Sequence, residues 1–98
     1  MKAVSLVQRR VVVATDAFAE LVIWRVAEPL APSRHRFKYR LAYVVGGECV
    51  VRYDNERGKG DHRHFGSTQK PYGFVSADRL MADFGADMER WNRENRRP

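Results

Sequence analysis

No other stretch of this sequence is as rich in side chains that could do chemistry as the thirteen consecutive residues 52–64. Arg52, Arg57, Lys59 and Arg63 supply cations, Asp54, Glu56 and Asp61 supply carboxylates, and His62 and His64 supply imidazoles. Three chemistries suit that set. The first is phosphate binding. Gly58 and Gly60 flank Lys59, so successive backbone N–H groups could curve around an anion while Arg57, Lys59 and Arg52 add charge and Arg63 forks onto two oxygens. The pattern is not a Walker A loop, which needs a longer glycine spacing and a Lys followed by Ser or Thr. The second is acid–base catalysis. His62 and His64 stand two apart, so on an extended segment they point the same way, and imidazoles titrate near neutrality. Cleavage of an RNA phosphodiester without a metal asks one group to take the 2′-hydroxyl proton and another to protonate the leaving oxygen, with cations on the phosphate. In that scheme Arg57, Lys59 and Arg63 grip phosphate and Asp61 orients an imidazole, with Asp54 in support. The third is a metal site of mixed oxygen and nitrogen ligands from Asp61, His62 and His64. The sequence has no cysteine pair and no helical His-Glu-x-x-His, so a structural zinc is not expected. No metal or cofactor is assigned. Against all three stands a solvated charged loop whose acids neutralise its own bases.

The elements that must hold this stretch are legible in the hydrophobic pattern. Residues 2–7 and 9–14 are rich in valine and read as strand, with a bend or an exposed edge at Gln8-Arg9-Arg10, before a turn at Thr15-Asp16-Ala17. Residues 18–26 are apolar on both sides, which predicts a central strand covered on both faces. Pro29 and Pro32 then make a loop. Residues 34–45 alternate, with Phe37, Tyr39, Leu41, Tyr43 and Val45 on one side and Arg36, Lys38 and Arg40 on the other. His35, between two arginines, reads as an exposed residue at the start of that strand. Gly46-Gly47 marks a hairpin. One extra residue in its loop aligns Cys49, Val51 and Tyr53 with Val45, Tyr43 and Leu41 and sets Asp54 opposite Arg40, an opposite-charge pair. From residue 55 to 74 no periodicity survives, so residues 52–74 are expected to be a functional loop, pinned by Phe65, Tyr72 and Phe74. Ser76 reads as a helix N-cap, with Asp78 in the first turn. Leu80, Met81, Phe84, Met88 and Trp91 form one apolar face of a helix over residues 77–92, in which Gly85 allows close approach to a strand. Residues 93–98 are expected to fray as a basic tail.

Composition sets the class. A chain of 98 residues closes one core, so residues 1–98 are expected to be a single α+β domain. Its apolar share of 44% suffices to fold, and no run nears the roughly 20 apolar residues that span a membrane. The apolar run before Arg9-Arg10 is too short for a signal peptide. The lone Cys49 suits a reducing compartment and reads as a small buried strand residue. A cytoplasmic protein is therefore expected. The net charge of +6 and a pI near 10 predict an anionic partner, RNA above all, with an acidic protein as the rival.

With Ile23-Trp24-Arg25-Val26, Arg36-Phe37-Lys38-Tyr39-Arg40-Leu41, Tyr53-Asp54-Asn55 with the charged run after it, and the helix ending near Trp91 in view, the sequence resembles the TumE-like family of small bacterial and archaeal toxin–antitoxin proteins. The resemblance implies a toxin component, usually paired with a DNA-binding antitoxin, whose target is RNA or the translation apparatus. It transfers no catalytic residue. The expected architecture is an antiparallel sheet of four or five strands with one C-terminal helix across a face, the other face being open to a second copy in a homodimer. The alternative function is a non-catalytic module that binds nucleic acid or an acidic partner.

Overall fold

The computed structural model describes residues 3–97. Met1, Lys2 and Pro98, to which the first strand and the basic tail were expected to extend, lie outside the described residues. Six strands run in chain order as one antiparallel meander: β1 (Val4–Ala14), β2 (Ala17–Arg25), β3 (Phe37–Val45), β4 (Glu48–Glu56), β5 (Gly60–Phe65) and β6 (Thr68–Pro71). A single helix, α1 (Ala77–Glu94), follows and packs on one face. The α+β class and the C-terminal helix are as expected, but the sheet has six strands rather than four or five. The additional strands are β5 and β6, in the stretch expected to be a loop. β5 hides from a hydrophobicity reading because it is polar on both sides: His62 and His64 face away from the helix, while Asp61 and Arg63 are half-buried on the helix side, where they pair with Tyr39 and Asp87 and Arg63 Nε is left without an acceptor.

The alternation of β3 sets the core. Tyr39, Leu41 and Tyr43 lie opposite Ile23, Leu21 and Ala19 on one side, and Leu41 and Tyr43 lie opposite Tyr53 and Val51 on the other. That face closes on Leu80 and Phe84 of α1. Three buried tyrosines keep partners for their hydroxyls, as buried O–H groups require. Tyr39 donates to Asp61, Tyr43 to Asn92 and Tyr53 to Asp87. Ser76 caps the helix, its Oγ accepting from the Arg79 N–H at 3.1 Å. Trp91 meets Tyr43 edge-on at the far end.

The β3–β4 hairpin corrects one detail. Gly46 and Gly47, with φ of 58° and 81°, close a two-residue turn that only left-handed residues make well. The extra residue therefore sits inside β4, as an irregularity between Tyr43 and Val44, so Cys49 opposes Val44 and not Val45. Val51, Tyr53 and Asp54 keep their expected partners. Cys49 is exposed beside the turn rather than buried.

β2 also differs from expectation. Ala17, Ala19, Leu21 and Ile23 are buried, but Phe18, Glu20, Val22 and Trp24 are only half-buried on the face opposite the helix. The tail is tied down as well: both terminal nitrogens of Arg97 donate to Asp16, at 2.5 and 3.1 Å. A Cβ on Gly85 would meet nothing within 4 Å, so close packing does not explain that glycine.

Candidate functional site

Residues directly opposed in adjacent strands share a face. One row of the helix-free face therefore runs Glu20, Ala42, Arg52, His64, Gln69, and the next runs Val22, Arg40, Asp54, His62, Pro71. Trp24 and Lys38 continue it beyond Arg40. The period of two puts His62 and His64 side by side, with Cα atoms about 6.6 Å apart. They line a shallow pocket of about 140 Å³ together with Arg52, Asp54, Glu56, Lys59, Gly60 and Gln69.

Within it, Arg52 Nη2 donates to His64 Nε2 at 3.0 Å, which places the imidazole proton on Nδ1. Burial, reinforced by the Arg52 charge, holds His64 below the usual histidine range, while Asp54 at 3.9 Å opposes them. Arg52 Nε lies 3.2 Å from Asp54 Oδ2 but has no aligned acceptor, so this contact is an ion pair without a hydrogen bond. His62 Nδ1 lies 3.3 Å from the Gly60 carbonyl, to which it donates. Lys59 meets Glu56 at 3.6 Å in an exposed pair. Arg52 and Lys59 are thus balanced by Asp54 and Glu56 inside the pocket. The excess positive charge of this face comes from exposed Lys38 and Arg40.

The other expected participants lie elsewhere. Arg63 points to the helix side, where its Nη2 donates to Asp87 Oδ2 at 2.5 Å. Asp61 is also on that side, so the Asp61, His62 and His64 set is divided by the sheet. Among the described residues no group of three or more His, Cys, Asp or Glu side chains could hold a metal ion. Arg57 lines a separate depression with Val26, Ala27, Glu28 and Leu30. The Gly58 and Lys59 amides are spent on the Ala31 and Glu56 carbonyls at 2.6 and 3.1 Å, so they do not form the expected anion nest. Gly60 is required for a different reason: its φ is 78°, and a Cβ there would come within 3.1 Å of Pro32 Cγ.

A second polar cluster escaped the sequence reading. The Asp61 carboxylate accepts from the Ser33 hydroxyl, from Tyr39 OH at 2.6 Å and from His35 Nε2 at 2.7 Å. His35 Nδ1 accepts the Phe37 N–H at 3.1 Å, and its ring stacks on Phe74 at 3.8 Å between centroids. His35 is therefore not the exposed residue expected. Both its nitrogens are occupied, and Ser33 bonds the carboxylate rather than the imidazole, so the trio lacks the nucleophile–base contact of an activated serine. Burial and Asp61 push the Tyr39 hydroxyl above its ordinary range, which keeps it a donor. The cluster pins the 26–36 loop to β5. Its members are 22 to 28 positions from Asp61, so no local spacing signals them.

The Tyr53-Asp54-Asn55 block has a structural use. Asn55, buried, accepts from the Tyr39 N–H at 3.0 Å and donates to the Phe37 carbonyl at 2.7 Å, extending the β3–β4 ladder with its side chain. Among the described residues no helix is long and apolar enough to cross a membrane. No curated protein and no solved structure matches the chain. The family model described as Toxin TumE matches residues 2–92, which takes in all six strands and nearly all of α1. The chain accordingly belongs to the TumE toxin family, as the toxin component of a toxin–antitoxin pair with an antitoxin for its partner.

Proposed function

We propose that the chain acts in the cytoplasm by binding RNA across the helix-free face of its sheet and cleaving it at the His62–His64 pocket, until its antitoxin, the DNA-binding member of the pair, neutralises it. The observation that carries this reading is that both histidines and Arg52 share one depression on the face that also bears Lys38, Arg40 and Trp24. At about 140 Å³ the depression is well below the roughly 300–1,000 Å³ of pockets that enclose drug-sized ligands. It suits a phosphate group, leaving the bases on the open sheet, where half-buried Trp24 offers a stacking surface.

In this reading an incoming phosphate draws Arg52 onto its oxygens, because a charge-assisted contact to an anion outweighs one to a neutral imidazole. That frees His64 Nε2 to take the 2′-hydroxyl proton. The 2′ oxygen attacks phosphorus, and His62, entering the step as imidazolium, gives its Nε2 proton to the departing 5′ oxygen. The products are a 2′,3′-cyclic phosphate and a 5′-hydroxyl. Arg57 and Arg63, first considered for the phosphate grip, are replaced in that role by Arg52, Lys38 and Arg40.

The binding-only alternative draws on a specific observation too: the pocket's charges balance, and Arg52 occupies His64. One experiment separates the two. His62→Ala and His64→Ala are each expected to abolish growth inhibition and the cyclic-phosphate RNA ends that accumulate on expression, with a rate loss of about 10²–10⁴ and RNA affinity nearly unchanged. Toxicity that survives both substitutions but disappears with Lys38→Gln/Arg40→Gln supports the binding module. Indifference to both sets removes this face from the function.

A further inference from the structure

The two edges of the sheet are finished differently. β6 is four residues long, carries Lys70 and ends at Pro71, which has no N–H to offer. Short length, lysine and proline are the usual means of blunting a sheet edge. β1, at the other edge, has none of the three within its eleven residues. Among the described residues it pairs only with β2, and it leaves Val4, Leu6, Val11, Val12 and Val13 between 37% and 74% exposed. Between its two irregularities, after Ser5 and after Val12, residues 7–12 run in unbroken register. Six regular residues make an ordinary strand length, about 20 Å of backbone with one row of hydrogen-bonding groups unused.

Charge decides what completes that row. Arg9 and Arg10 sit exposed at the centre of the regular segment. A second copy pairing antiparallel about the middle of residues 7–12 would set Arg9 opposite its partner's Arg10 twice over, and like charges directly opposed are destabilising. Two chains of +6 would also repel on approach. A strand bearing carboxylates at its centre turns the same two positions into attraction, with apolar side chains against Val11 and Val12.

We propose that the outer edge of β1 over residues 7–12 is the docking site of the antitoxin, which adds an extended segment there as a seventh strand, its carboxylates set against Arg9 and Arg10. Main-chain hydrogen bonds hold such a segment, and the alternating side chains select it. The site lies at the opposite edge of the sheet from β5, so this inference rests on family membership and not on the RNA reading above.

The test uses the full chain alone and co-purified with the protein encoded beside it. Hydrogen–deuterium exchange is expected to slow at least tenfold in the complex at the outward-pointing alternate amides of residues 7–12, while those same amides, unpaired with β2, exchange freely in the isolated chain. The charge reversal Arg9→Glu, at an exposed position opposite Leu21 on the helix side of the sheet and so off the face proposed for RNA, is expected to weaken the complex at least tenfold. Circular dichroism and growth inhibition in the absence of the antitoxin should stay as in the wild type. Protection that maps elsewhere with residues 7–12 unchanged, an unaltered Kd for the reversed variant, or no complex at all overturns the proposal. So does concentration-dependent protection of β1 in the isolated chain together with a dimer in sedimentation, which assigns the edge to a second copy. If the reversed variant fails to fold, the wild-type exchange pattern still decides. His62→Ala and His64→Ala should leave the affinity for the antitoxin intact, so the two readings fail separately.

Discussion

Two ionisable residues show how partner identity, more than residue type, sets behaviour. His64 is held below the ordinary histidine range because burial disfavours the imidazolium and the charge of Arg52, 3.0 Å from its Nε2, adds to that. Its folded-state pKa lies below the ordinary value of about 6.5, so between the two values the unfolded chain binds more protons than the folded one. The stabilisation is complete above the ordinary value and is lost as pH falls through it toward the folded one. The urea midpoint of the wild type should therefore drop between pH 7.5 and 5, and that of His64→Gln should drop less. Asp87 is the second case. It is 5% exposed and accepts from both Tyr53 and Arg63. Asp87→Asn leaves the Arg63 guanidinium without its counter-charge, a loss of about 3–5 kcal/mol for a fully buried pair. Because the Arg63 side chain is 25% exposed, we expect a cost of about 2–3 kcal/mol in chemical denaturation.

At the scale of elements, β5 turns the central charged stretch into a divider. Its odd positions, Asp61 and Arg63, serve the interior and its even positions, His62 and His64, serve the open face. A run that reads as one constellation in sequence thus supplies two clusters. β3 was legible because Phe37, Tyr39 and Leu41 alternate with Lys38 and Arg40 before Ala42 and Val44 end the cationic side. β5 was not, because two of its three inward-facing side chains are charged and are made tolerable only by Asp87, Ser33, His35 and Tyr39, which arrive from elsewhere in the chain. The helix was legible from its three- and four-residue apolar steps and its Ser76 cap. Gly85 within it has open space around its Cβ position, so Gly85→Ala should stabilise the fold by about 1 kcal/mol, read as a higher urea midpoint with an unchanged m-value.

At the scale of the whole molecule, the helix covers one face of the sheet and leaves the other open, with Lys38 and Arg40 exposed on it. If RNA lies across that face, Lys38 and Arg40 each neutralise about one phosphate. Lys38→Gln/Arg40→Gln should then lower the slope of log K against log salt by about 1.4, at about 0.7 per contact with a single strand, and by a similar amount for unrelated sequences. A slope that does not change would place the RNA elsewhere. The opposite edges, one blunted at Pro71 and one open along β1, give the same molecule a separate surface for its antitoxin.

Local chemistry by itself determined the α+β class, the β3 face pattern, the Gly46-Gly47 turn, the Arg40–Asp54 pairing and the capped C-terminal helix, because each is fixed by periodicity, turn stereochemistry or charge over a few neighbouring residues. The tertiary structure alone decided that residues 60–65 are a strand, that His62 and His64 part company with Asp61 and Arg63, and that the Gly58 amide is already bonded to the Ala31 carbonyl. Those outcomes depend on which side of a shared sheet the helix occupies and on acceptors 20 or more positions away, such as Asp87 for Arg63. A side chain's use follows from the face its strand turns to the core, and that face is chosen by distant packing.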